Sequence, residues 1–177
     1  MQLIDYPSTR NLSVPAVLMR LSLLHAECSP DLGEHEEAQG MTHGSGRQPE
    51  RHRVKIDLVT EHPETGVFAI ILVETGPWPP GTEARELQRI QERLYDCVDV
   101  AVDGHLAAKY PDSRGRAIRI QLDTYDIPEE AIRPFFERFA KHVDTWSEVQ
   151  QEIQAKQNVK SITFEYNPRV IEGCRQG

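Results

Sequence analysis

The sequence predicts an α+β domain, a four-stranded and mostly antiparallel sheet in the order β-β-α-β-α-α-β with helices on one face. Three observations predict it. Residues 54–60 and 116–125 alternate apolar and polar side chains, the period of a half-buried strand. Residues 67–74 are almost unbroken apolar sequence, as in a strand covered on both faces. Between these strands, residues 82–103 carry apolar side chains at helical spacing.

The chain divides near residue 50. In residues 14–24, Val14, Val17, Leu18, Leu21 and Leu24 recur as on one face of a short helix. Residues 28–53 are rich in Gly, Glu, His and Gln and read as a linker. Residues 1–53 are therefore expected to be an appendage, residues 54–167 the domain and residues 168–177 a tail. Met41 is an alternative start, which would make the first 40 residues dispensable.

In the first strand, Val54, Ile56 and Leu58 share one face, and Lys55 and Asp57 share the other. His62-Pro63-Glu64-Thr65-Gly66 is a loop, and a hairpin joins this strand to residues 67–74. Gly76-Pro77-Trp78-Pro79-Pro80-Gly81 suits neither a helix nor an inner strand. Thr82 is an N-cap type, and Glu83 and Glu86 complement the positive end of the helix it opens. Ala84, Leu87, Ile90, Leu94, Cys97, Val98, Ala101 and Val102 form the apolar stripe. Arg85, Arg89, Glu92, Arg93, Asp96 and Asp99 fall off it and are expected in water.

Gly104 ends the helix, residues 105–110 add a turn and Pro111 stops it. In the third strand, Ile118, Ile120 and Leu122 alternate with Arg119, Gln121 and Asp123, so one face is wet, as antiparallel sheets allow. Asp126 with Glu129 reads as a capping signature. Pro134 either starts the helix that follows or kinks it. Residues 145–148 form a second capping signature for a polar helix to about Gln157, and residues 161–166 are the last strand.

Composition limits function. The 177 residues carry a formal charge of −8, a pI near 5.4 and a mean hydropathy of −0.53. That disfavours nucleic acid, which needs a basic face. No apolar run suits a membrane span or a secretory leader. The three cysteines, Cys28, Cys97 and Cys174, form no Cys-x-x-Cys pair, and Cys97 lies on the apolar stripe. This points to reduced thiols in a reducing compartment, and so to the cytoplasm.

Few residues carry chemistry. His25, Cys28, His35 and His43 are metal-ligand types, but their spacing matches no zinc pattern, so no metal and no cofactor is expected. His62, His105 and His142 accompany no Gly-x-Ser-x-Gly nucleophile motif. Asp57, Glu74 and Asp123 sit on or beside strands and, gathered on the open sheet face, would offer carboxylates for acid–base work. Trp78, stiffened between Pro77 and Pro79, would make a binding anchor with Glu83, Arg85 and Glu86 as its polar rim. Packing of Trp78 as a lid on the core is the competing reading.

Ile-Asp-Leu-Val at 56–59, the apolar strand ending at Glu74 with Trp78 beyond it, Leu87-Gln88 and Gln91, Gly104-His105-Leu106 and Tyr110-Pro111 together resemble an uncharacterised bacterial family of small α+β domains. The resemblance covers about residues 54–125. It implies a bacterial cytosolic protein and supplies no catalytic residues. The expected function is therefore a non-enzymatic binding or accessory protein that acts through a protein partner, as immunity proteins and secretion chaperones do. A small enzyme built on Asp57, Glu74 and Asp123 is the alternative.

Overall fold

The computed structural model describes residues 2–7 and 51–169, with residues 2–7 and 51–53 as backbone only. Two short strands, β1 (Gln2–Pro7) and β2 (Arg51–Ile56), pair into a sheet of their own. The main sheet has four strands: β3 (Leu58–Glu61), β4 (Phe68–Thr75), β5 (Ala117–Tyr125) and β6 (Ser161–Arg169). The helices are α1 (Glu83–Val102), α2 (His105–Lys109), α3 (Glu129–Thr145) and α4 (Ser147–Lys156).

The α+β class and the element order from residue 58 onward are as expected, and strand direction is where they part. The strands lie in the order β3-β4-β5-β6. β3 pairs antiparallel with β4, but β4–β5 and β5–β6 are parallel. The sheet is thus mixed and mostly parallel. The 20-residue α1 returns the chain to the start of the sheet, which is what parallel pairing requires. Both crossovers step the same way across the sheet, so crossovers of one hand lay their helices on one face.

Register identifies that face. The rows Phe68–Ile118–Ile162, Ile70–Ile120–Phe164 and Leu72–Leu122–Tyr166 pack against the helices. Ile90, Leu94, Cys97, Val98 and Ala101 of α1 and Ile132, Phe136 and Phe139 of α3 complete the core. The opposite rows, Ala69–Arg119–Thr163, Ile71–Gln121–Glu165 and Val73–Asp123–Asn167, point away from every described helix.

The first strand breaks where continuity was expected. A bend at Asp57 separates β2 from β3. Val54 and Ile56 stay fully buried, but Leu58 comes out on the helix-free face at 44% exposure. One residue of slip moves a side chain to the other face of a strand. The Asp57 carboxylate takes the N–H of Val73 at 2.8 Å, in place of the carbonyl that a continuing ladder would have offered.

A strand precedes the expected domain. β1 pairs with β2, and residues 2–6 belong to one compact unit with residues 53–169. The expected helix at 14–24, the linker up to residue 50, Cys28, Cys174 and the histidines at 25, 35 and 43 lie outside the described residues, and residues 51–53, expected as the linker's end, open β2. β6 runs on to Arg169, past the expected end at 166.

The caps differ from the sequence signatures. Asp126 has φ 55 and Pro128 caps α3, which runs as one helix through Pro134. Thr145 Oγ1 donates back to the carbonyl of Lys141 at 2.9 Å, so it closes α3 and does not open α4. At the end of α1, Gly104 has φ 82, and Asn158 Nδ2 donates to the Val102 carbonyl at 3.0 Å. A Cβ on Gly104 would sit 2.7 Å from that Asn158 side chain, so both the backbone and the capping contact call for glycine.

Candidate functional site

Two places gather the polar side chains of interest. The first lies where β4 ends and α1 begins. β4 alternates so that Glu74 closes the buried row of Phe68, Ile70 and Leu72, and it is 4% exposed. A carboxylate buried this far needs charged partners. Arg89 supplies a two-pronged pair, Nη1 donating to Oε1 at 3.0 Å and Nη2 to Oε2 at 2.6 Å. Arg93, one helical turn further, also donates to Glu74, and its Nη2 donates to Asp57 at 2.7 Å. Arg89 in turn holds Glu86 at 3.0 Å, and Glu86 meets Arg85 at 3.1 Å.

The result is a chain of alternating charges, Arg85–Glu86–Arg89–Glu74–Arg93–Asp57, that runs from water into the sheet. Its electrostatics follow. Hydrogen bonding to Glu74 holds the Arg89 guanidinium more firmly protonated than usual. Hydrogen bonds from Arg89 and then Arg85 keep the Glu86 carboxyl below the ordinary carboxylate range. Arg93, expected in water, is only 13% exposed through its side chain, because the buried Glu74 draws it down onto the sheet.

The three carboxylates proposed for acid–base chemistry do not meet. Asp57 and Glu74 come together through Arg93, on the helix side. Asp123 pairs in register with Val73, so it projects from the other face. Trp78 lies against the core, half-buried, with its indole N–H shielded and without an acceptor. Glu83 accepts from the N–H of Gly81 at 3.3 Å, and Glu83 and Arg85 are exposed beside the Trp78 loop. Trp78 thus combines the lid role with a partly open ring.

The second place is the helix-free face, and sequence reasoning missed most of it. On β5, Gln121 and Asp123 are only 6% and 8% exposed, and Gln121 Nε2 donates to Asp123 Oδ1 at 2.8 Å. On β6, Asn167 Nδ2 donates to Glu165 Oε1 at 3.0 Å. Arg119 reaches across to Glu165 Oε2 at 2.8 Å, and Arg169 stands 4.0 Å from Asp123 Oδ2. Beside this ladder lie Leu58, Ile71 and Val73. The signal was present: Arg119, Gln121 and Asp123 alternate in phase with Thr163, Glu165 and Asn167, and parallel pairing places them side by side.

Among the described residues, no group of three His, Cys, Asp or Glu side chains is placed to hold a metal ion. Among the same residues, no helix is long and apolar enough to cross a membrane. Fold and site together define a class: an α+β domain whose sheet carries every described helix on one face. Compared with known protein families, curated proteins and solved structures, the chain matches none of them.

Proposed function

We propose that this chain is a non-enzymatic binding or accessory protein that acts through a protein partner, and that the partner docks on the helix-free face of the sheet. One observation carries this reading: the face sets an apolar strip, Leu58, Ile71 and Val73, beside a polar ladder in which Gln121 bonds Asp123 and Asn167 bonds Glu165. An apolar patch with a polar surround is the composition of a protein-contact surface. A catalytic centre on the same sheet would need carboxylates free to exchange protons, and Glu74 and Asp57 are each bound to arginines on the other side. The Trp78 loop is the lesser candidate surface, because much of its ring is spent on the core.

Affinity capture from a native host, with the intact chain as bait, tests the assignment. Leu58→Asp should reduce recovery of the captured protein by about tenfold, the effect of losing one anchor at an interface. Trp78→Phe should leave recovery unchanged. The reverse pattern would move the contact surface to the Trp78 loop.

A further inference from the structure

We infer that β2 is a releasable strap, clasped by Asp57, which lifts off with its partner β1 while the four-stranded sheet and its helices stay folded. Backbone pairing is the first argument. Strands β3 to β6 are joined by continuous ladders. Among the described residues, β2 pairs only with β1, in a sheet of its own, and the bend at Asp57 parts it from β3.

What fastens β2 to the domain lies in a few side chains. Val54 and Ile56 are fully buried in the core, two anchors against the whole stripe of α1. Beyond them, one atom forms the clasp. Asp57 Oδ2 accepts from the Val73 N–H at 2.8 Å and from Arg93 Nη2 at 2.7 Å. The same Nη2 reaches the Lys55 carbonyl at 3.3 Å.

The charge network lets this clasp open. Glu74 is the deeply buried carboxylate, and it keeps Arg89 and Arg93 after Asp57 has left. The Asp57 side chain is already 22% exposed, so release returns it to water and strands no buried anion. A segment with few apolar anchors and no ladder to the main sheet opens at lower free energy than the strands that carry the core. Opening bares the Val73 N–H and the β4 edge beyond Ile71, the last β4 residue that β3 pairs.

Native-state hydrogen exchange of the full chain, followed by mass spectrometry in urea below the unfolding transition, tests this. Amides of residues 53–57 should exchange at least about tenfold faster than those of residues 118–122 in β5, with a shallower urea dependence, because less surface is exposed. Asp57→Asn keeps an acceptor for Val73 but loses the ion pair, and should speed exchange at 53–57 by about tenfold. Val149→Ala, in the core under α4, weakens the strap-open and closed states alike. It should speed exchange at 118–122 by about tenfold or more and leave 53–57 unchanged. Circular dichroism checks that both variants fold. Equal rates and urea slopes for the two segments overturn the inference. So does exchange at 53–57 that ignores Asp57→Asn, or that rises with Val149→Ala as much as β5 does.

Discussion

Arg93 Nη2 donates to the Asp57 carboxylate at 2.7 Å, joining the third turn of α1 to the bend where β2 becomes β3. The same guanidinium holds Glu74, so one side chain ties a helix to two strands. This contact decides which of the charged residues are structural.

Arg93→Ala should cost about 3–5 kcal/mol, because it leaves the buried Glu74 with Arg89 alone and strips Asp57 of its cation. Arg85→Ala, at the wet end of the same chain of charges, should cost less than about 1 kcal/mol. Urea denaturation of both variants separates them. Equal losses would mean that the buried end of the network carries no special weight.

Leu94, fully buried in the middle of the α1 stripe, should behave as a core residue. Leu94→Ala is expected to lower stability by about 2–5 kcal/mol. A loss under about 1 kcal/mol in the same denaturant series would contradict the packing of α1 on the sheet.

Gly76 and Gly81 flank the Trp78 loop and answer differently to a methyl group. A Cβ on Gly76 would lie 2.1 Å from the Asp126 carbonyl oxygen, a backbone atom that moves only if the β5–α3 connection moves. Gly81 has φ 77 but nothing within 4 Å of such a Cβ. Gly81→Ala should therefore cost about 1 kcal/mol of backbone strain, and Gly76→Ala clearly more. Thermal melts of the pair check the order, and a more harmful Gly81→Ala would reverse the account of this loop.

Cys97 is fully buried, and burial raises its thiol pKa well above the ordinary value. The folded chain then keeps a proton that the unfolded chain releases above about pH 8.5. The stabilising effect is complete below that pH and is lost as pH rises through it, by about 1.4 kcal/mol per pH unit relative to Cys97→Ala. With Cys28→Ser and Cys174→Ser in place, a thiol reagent at pH 8 should label Cys97 only on unfolding. Prompt labelling of the native chain would place the thiol at the surface.

Removing residues 1–7 should destabilise the domain, because β2 loses its only described strand partner while Val54 and Ile56 still fill the core. A loss of about 2 kcal/mol is expected, or roughly 4–8 °C in Tm for a chain of this size. An unchanged melt would return the N-terminal strand to the status of an appendage.

Much of this architecture is local in origin and was legible in the chain. The apolar run ending at Glu74, the stripe from Ala84 to Val102 and the alternation at Ile118, Ile120 and Leu122 each report a period, and a period depends only on neighbouring residues. Strand direction was not read correctly, although a long helix between two strands is itself a crossover signal. The wet positions of β5 suggested an antiparallel sheet because parallel strands are usually covered on both faces, and here the described helices all lie on one face.

The sequence by itself determined the elements from β4 onward, their order, the buried face of α1 and the turn at Gly104. Tertiary structure alone decided the partners: that Arg93 leaves water for Glu74, that the bend at Asp57 turns Leu58 outward, and that Glu74 and Asp123 look away from each other. The physical reason is range. Helical and strand periods are set within a few residues, whereas an ion pair between residues 57 and 93, or a register between β5 and β6, exists only once distant segments are brought together.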